Sequence, residues 1–537
     1  MRRIFLGLIA ATGLSAMTGS IAYAADMRVV RKAPPAPIAV ASWSGLYLGL
    51  GFGTRSTRTD ASVTAFTENG VDALTPGAVG EPLNDTSFRL SPYVGFNWQV
   101  APQWVVGIEA DGGFGNKTVT LNGMRYPASS FITGLAGDAF SVKSTWDAGA
   151  RGRVGFLPEP SVLVYATGGI AWLHVESTSN CNPLGRCAPG VLGPGIITDA
   201  RAKTGWTIGG GLEAMLWPNW IARAEYRYAD FGTISHVDTR TIPTGLVEVV
   251  SYDVRARTHT ATFGLAYKFL DGNTPPASAI PVKAPMHKAP SPVALPSWGG
   301  LYAGLGVGAR STRMEATVTD VSSAAASLAQ VCAFLAPLGG CVTSEPLNDT
   351  AFRVGPYLGL NWQAAPQWVL GVEGDWGFAD KTTTLAVVSY PASFLMGGAN
   401  ETFSVKTSWD ASVRGRVGFL TSPSVLVYAT GGVAWLHVES TGTCTAFCGG
   451  FRPIDITRSH TQTGWTVGGG LEAMLWGNWI ARGEYRYADF GTISNTDQRT
   501  LGPDVVTVNY DLRMKAHTAT FGLAYKLDRG GPVVARY

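Results

Sequence analysis

The residues of this chain best suited to chemistry are its arginines and carboxylates, and they recur at alternate positions. Asp147, Arg151 and Arg153 share one parity, as do Arg223, Glu225 and Arg227. The same rule adds Arg89, Glu109, Asp111 and Glu213. A second set repeats the pattern with Arg353, Glu373, Asp375, Asp410, Arg414, Arg416, Glu472, Arg482, Glu484 and Arg486. Guanidinium and carboxylate groups brought together at this density pair through charge-assisted, often bidentate hydrogen bonds. Each set holds five acids and five arginines. That balance points to a paired network, because a selective pore lining carries a surplus of one sign. A charged channel lining is the competing reading.

Other chemistries find less support. His259 sits between Thr258 and Thr260, and the sequence places no serine and carboxylate with it, so a hydrolytic triad is not expected. Gly209-Gly210-Gly211 is followed by no helix that could open a phosphate loop. Asn84-Asp85-Thr86 and Asn348-Asp349-Thr350 match a glycosylation sequon but read as plain turns. The six cysteines fall as near neighbours, with no histidine at metal-ligand spacing. Local disulfides Cys181-Cys187, Cys332-Cys341 and Cys444-Cys448 are therefore expected. His174 and His437 stand before two of the cysteine loops, where a surface ligand could reach a haem iron. No catalytic residue, resident cofactor or metal is expected.

The elements that position these groups have a period of two. From Trp146, one parity reads Trp146, Ala148, Ala150, Gly152, Val154, Phe156, and the other carries the charges. A helix would scatter those charges, whereas a strand gathers them on one face. Eight such segments are expected per copy, starting near Trp43, Phe88, Trp104, Val142, Val162, Lys203, Trp220 and Val254. Three connections are tight, at Ala101-Pro102-Gln103, Pro158-Glu159-Pro160 and Pro218-Asn219, and four are long. The chain is one module written twice: the segment from Leu163 returns from Leu426, and that from Glu213 returns from Glu472.

Arg2 and Arg3, the apolar stretch from Ile4 to Met17 and Ala22-Tyr23-Ala24 make an expected signal peptide over 1–24. Export permits oxidised cysteines. A leader over 25–42, modules over 43–270 and 298–527, a Pro/Ala/Lys-rich linker over 271–297 and a tail over 528–537 complete the expected organisation. Across 537 residues, 41 basic side chains face 38 acidic ones. That balance is no nucleic-acid signature. Hydrophobic residues make up 46% and charged residues 15%. No mature segment runs about 18 apolar residues without interruption, which argues against membrane helices.

Short turns alternating with long loops are the habit of outer-membrane β-barrels. Trp146 and Phe156 end one outward face. At about 3.3 Å per residue and a tilt near 40° they stand roughly 25 Å apart along a membrane normal, the height of an apolar band. Trp98, Trp104, Trp217, Trp220, Tyr267 and Phe269 would form one aromatic girdle, and Trp172, Phe114 and Phe231 the other. The expected fold class is all-β, two tandem eight-stranded antiparallel transmembrane barrels, with one fused 16-stranded barrel as the alternative. Lumen glycines such as Gly45, Gly49, Gly51 and Gly53 would leave room for arginines.

"ASWSGLYLGLGFG", "SPYVGFNWQ", "RGRVGF", "YATGG", "YRYADFG" and "FGLAYKF" resemble the small outer-membrane immunogenic porins of α-proteobacteria, which are opacity-type, OmpA-like eight-stranded barrels. The resemblance covers nearly all of both copies. It implies a protein of the bacterial outer membrane with extracellular loops and a periplasmic linker and termini. The expected role is a structural surface protein that supports membrane integrity, with largely occluded lumens. The alternatives are a porin-type passive channel, or loop-mediated binding of haem or a host surface. Two departures stand out: the family normally has one barrel per chain, and the second copy ends on Leu527 where Phe269 ends the first.

Expected partners are outer-membrane lipid and lipopolysaccharide, whose phosphates suit basic groups at the loop-side strand ends. These are Arg55, Arg58, Lys117, Lys143, Arg201, Lys203, Arg255 and Arg257 in copy one. Copy two offers Arg310, Arg313, Lys381, Lys406, Arg458, Arg513 and Lys515. For the cysteines, thiol labelling of intact cells is expected to modify none of Cys181, Cys187, Cys444 or Cys448 before reduction. Ready labelling of all four would remove the disulfide assignment.

Overall fold

A computed structural model describes residues 42–72, 81–122, 139–180, 196–217, 219–241, 247–269, 297–322, 327, 329–330, 344–386, 402–444, 454–501 and 504–527. The expected signal peptide and tail, almost all of the leader and linker, and Cys181, Cys187, Cys332, Cys341 and Cys448 lie outside the described residues; Cys444 closes a strand.

Copy one comprises β1 (Gly45–Glu68), the two-residue β2 (Val71–Asp72), β3 (Glu81–Ala101), β4 (Trp104–Asn122), β5 (Ala139–Glu159), β6 (Val162–Asn180), β7 (Ile196–Trp217), β8 (Trp220–Thr241) and β9 (Val247–Lys268). Copy two repeats this order with β10 (Gly300–Ser322), the short β11 (Ser344–Pro346), β12 (Asp349–Ala365), β13 (Trp368–Ala386), β14 (Thr402–Ser422), β15 (Val425–Cys444), β16 (Ile454–Met474), β17 (Trp479–Leu501) and β18 (Asp504–Lys526). In each copy the eight long strands pair antiparallel with their sequence neighbours, and the last returns to the first, β9 on β1 and β18 on β10. The chain therefore closes two separate rings, which disposes of the fused 16-stranded alternative. Closure also removes the open edges that would otherwise template aggregation.

Four copy-one strands begin earlier than the sequence pattern indicated, at Glu81, Ala139, Ile196 and Val247. The ladders continue beyond the apolar band toward the long connections, and there the strands change character. Lower on β9, Leu265 and Tyr267 face outward, and Thr260 and Thr262 are buried inside. Higher up, Val254 and Ala256 are buried inside, and Arg255 is exposed outside. The inward residues of this upper half form an apolar core with Leu83, Val119, Val142, Leu173, Val175, Phe231, Ile234 and Tyr252. One strand thus serves two surroundings: apolar-out in the lower half, apolar-in above it.

One aromatic assignment changes. Phe231 is 3% exposed and belongs to that inner core, not to an outer girdle; it continues the inward parity of Arg223, Glu225 and Arg227. The next residue, Gly232, has φ +68° and forms a bulge that switches parity, so that Ile234 and His236 are buried in turn. Trp43 precedes the first strand and is fully buried at the short-turn end, where its indole N–H donates to the Pro160 carbonyl at 2.9 Å. Trp298 does the same with Pro423 at 3.0 Å. The expected girdle residues of the short-turn end, Trp98, Trp104, Trp217, Trp220, Tyr267 and Phe269, are exposed, as is Phe114 above.

The sequon triplets are also not turns. Asn84 and Thr86 lie within β3, face outward, and are only 5% exposed because they meet the other copy. Asn84 Nδ2 donates to the Asn348 carbonyl at 2.7 Å, and Asn348 Nδ2 donates to the Asn84 carbonyl at 2.8 Å. The Ser56 hydroxyl meets that of Thr350 at 2.6 Å, and Thr86 meets Ser311 at the same distance. Near the short turns, Val162, Leu212 and Ala214 pack with Val425, Leu471 and Ala473. Each contact has its exchanged counterpart, the signature of a two-fold interface. Outward hydroxyls and amides taken out of water by the seam would lack partners, and here each copy supplies them to the other. The hydroxyls of Ser161 and Ser424 lie 3.3 Å apart on this seam. A Ser161→Cys/Ser424→Cys double variant is expected to crosslink within one chain on mild oxidation, and peptide mass spectrometry checks it.

Candidate functional site

Inside each lower barrel the inward parity gathers the charged side chains named from the sequence. Towards the short turns, Arg153 pairs with Glu213 at 2.7 Å, and Arg223 with Glu213 at 2.6 Å. In the middle, Glu109 accepts from Arg151 and Arg223, and from the Tyr47 hydroxyl at 2.8 Å. Glu225 accepts from Arg151 at 3.3 Å and from the Tyr165 hydroxyl at 2.6 Å. Towards the long loops, Arg227 grips both oxygens of Asp111 at 2.8 and 2.9 Å, and Arg89 bridges Asp111 (2.5 Å) and Asp147 (2.6 Å). All ten reside in one connected cluster. The guanidinium carbons of Arg223 and Arg153 also sit 4.1 and 4.0 Å from the ring centres of Tyr93 and Tyr165, within cation–π range.

Copy two builds the same cluster. Glu373 accepts from Arg414 at 2.5 Å, from Arg482 at 2.6 Å and from the Tyr302 hydroxyl at 2.6 Å. Arg416 pairs with Glu472 at 2.7 Å, and Arg414 with Glu484 at 3.0 Å. Arg353 joins Asp375 and Asp410, while Arg486 holds Asp375 at 2.7 and 2.9 Å. Ser412 replaces Gly149 here; its hydroxyl donates to Asp375 and accepts from Arg486 at 2.9 Å.

Two arginines assigned to the outer leaflet belong in this cluster. Arg55 is fully buried, pairs with Asp147 at 2.5 Å and donates to the Gly115 carbonyl at 2.6 Å. Arg310 pairs with Asp410 at 2.8 Å. Each shares the inward parity of the tyrosine eight positions before it, Tyr47 or Tyr302, a signal available in the sequence. Inward Asp85 and Asp349 were likewise missed, 5% and 3% exposed. The tally per lumen is six arginines and six acids rather than five of each. Room for the upper arginines comes from Gly113 and Gly377, where an added Cβ would lie 2.2 Å from Arg89 Nε and Arg353 Cζ.

Apolar layers cover both ends of the network. Below lie Trp43, Leu157, Leu163, Met215 and Ile221 with the rings of Tyr47, Tyr93 and Tyr165; above lies the core around Leu173 and Val254. The histidines keep local partners: His259 Nδ1 is 2.7 Å from the Tyr226 hydroxyl, His174 Nδ1 is 2.9 Å from the Thr145 hydroxyl, and His437 stacks on Trp409.

The profile of the outer membrane protein beta-barrel domain matches this chain twice, over residues 12–269 and 289–526. The 31 kDa outer-membrane immunogenic protein of Brucella melitensis is 29% identical over 265 residues, covering 48% of this chain and 97% of the relative. The 22 kDa outer membrane protein of Rhizobium leguminosarum is 29% identical over 200 residues, covering 37% and 70%. Among solved structures, Ail, the attachment invasion locus protein of Yersinia pestis, aligns over 42% of this chain and 99% of its own, at 15% identity and a TM-score of 0.21.

Removing one partner of a buried ion pair typically costs about 3–5 kcal/mol, because the other charge stays buried. Glu109→Ala is expected to destabilise copy one by that amount, and Glu373→Ala copy two. Urea unfolding in detergent, followed by tryptophan emission, checks this; an unshifted midpoint would refute it.

Proposed function

This chain belongs to the outer membrane protein beta-barrel domain family, and from that premise we propose a non-enzymatic surface protein that braces the bacterial outer membrane and carries its long loops outside. Two rigid barrels present apolar belts to lipid, with Leu48, Leu50, Phe52 and Ile108 exposed on the first and Leu305, Val307, Leu360 and Val372 on the second. The observation that carries the reading is the filled interior. A water-filled pore would leave lumen charges hydrated, whereas Arg89, Arg151, Glu109 and Glu213 are each at most 4% exposed. An eight-stranded ring has an interior just wide enough for side chains to fill it, and the apolar layers above and below add further closure.

The orientation follows from family habit, with short turns toward the periplasm and long connections outside. The Brucella relatives are named immunogenic proteins of the outer membrane. That naming supports surface exposure of the same end here, and so a surface antigen.

The intact chain in a planar bilayer is expected to give no stepwise conductance under an applied potential. Large, regular steps would overturn the occluded reading in favour of a porin-type channel.

A further inference from the structure

We propose that copy two alone carries a phosphate-binding site, formed by Arg313 and Arg513 with Lys515 beside them, that takes the phosphate monoester of an outer-leaflet lipid headgroup. The proposal rests on the orientation given above, in which the long-loop end lies in the outer leaflet.

A cavity of about 420 Å³ opens there, lined by Arg313, Met314, Glu315, Ser344, Pro346, Asn348, Arg513 and Lys515. Its origin is a break in the ladder. In copy one, β1 pairs with β3 without interruption from Gly45↔Asn97 to Ala61↔Glu81. In copy two, β10 leaves β12 at Thr312↔Asp349 and meets β11 only from Glu315↔Pro346. Across that gap a single backbone bond remains, from Leu347 N to the Met314 carbonyl at 2.8 Å.

The charges around the break differ between copies in a way that decides the ligand. In copy one the equivalent cations are paired: Arg58 with Asp60 at 3.1 Å, Arg255 with Asp230 at 3.0 Å, and Arg257 with Asp230 at 3.5 Å. In copy two, Lys515 reaches Asp489 only at 3.8 Å, and Glu315 accepts from the Ser344 hydroxyl at 2.9 Å. Among the described residues Arg313 and Arg513 have no ion pair, although each flanks the cavity. Three cations against one lining carboxylate leave a positive pocket, and free guanidinium forks match a phosphate bidentately.

Height along the barrel selects a lipid phosphate. Asp489 lies opposite both Trp465 and Lys515, and Arg313 opposite Lys515, one same-face step beyond the Tyr487↔His517 pair. Trp465 is exposed on the outer face, its ring 5.4 Å from that of Tyr487. The cations therefore stand at the upper edge of the aromatic belt, where a bilayer carries its headgroups.

The test titrates the full chain in neutral detergent with three probes: bisphosphorylated lipid A, the same lipid A with its phosphates removed, and inorganic phosphate. Binding is followed by thermal stability and tryptophan emission. Phosphorylated lipid A is expected to bind at least tenfold more tightly than the other two. Arg313→Gln/Arg513→Gln should weaken it at least tenfold, and Arg58→Gln/Arg255→Gln by less than twofold. The Arg313→Lys/Arg513→Lys variant keeps the charge and should fall between, which guards against misfolding of the glutamine form. Equal binding of inorganic phosphate would overturn the lipid source. Unchanged affinity in both Arg313/Arg513 variants, or equal loss in the copy-one variant, would overturn the site. Micelles have no sides, so an error in the assumed orientation would show in surface labelling of cells and leave this titration unaffected.

Discussion

The guanidinium–carboxylate network in each lumen is the interaction on which the rest of the structure depends. Charges taken out of water are tolerated only when partners and hydrogen bonds replace hydration. Glu109 illustrates the requirement, since it serves Arg151 and Arg223 as well as the Tyr47 hydroxyl. The surrounding choices follow from it. Gly113 makes space for Arg89, tyrosines supply hydroxyls and ring faces, and Trp43 covers the lower end without leaving its own N–H unpaired. Side chains locked to several strands at once tie those strands together across the lumen.

Each strand also solves two burial problems in succession. Within the apolar band the ring has lipid outside and ions inside. Above it, the ring has water outside and must carry an ordinary apolar core, here built around Leu83, Leu173, Val254 and Phe231. A strict alternation cannot do both unless the residue types swap sides, as they do on β9. A bulge at Gly232 adjusts β8 to the same end. That upper core accompanies the strands well past the apolar band.

Duplication adds a seam that a lone barrel lacks. The reciprocal Asn84 and Asn348 bonds and the Ser/Thr pairs beside them satisfy polar groups that the seam takes out of water. The copies are not equivalent, however. The ladder break at Arg313 and Met314, and the loss of ion pairing around it, occur in copy two only. The two lumens are thus near-identical while the rims differ.

Much of this was legible in the residue order. Period-two alternation, repeated segments and paired aromatics specify two all-β modules, and parity alone puts the twenty charged residues named at the outset on inward faces. Parity also puts Arg55, Arg310 and Phe231 on inward faces, whereas their distance along the strand points to the loop-side end; the face decides, and all three are buried. Other features were decided by tertiary structure. Whether one ring or two closes depends on β9 meeting β1, a contact between segments some two hundred positions apart. That Asn84-Asp85-Thr86 is a strand and not a turn depends on its ladder with Ser56, Thr57 and Arg58 of β1, a segment nearly thirty positions away. Alternation along a strand states which residues share a face, but what that face meets is set by chain segments that local sequence does not contain.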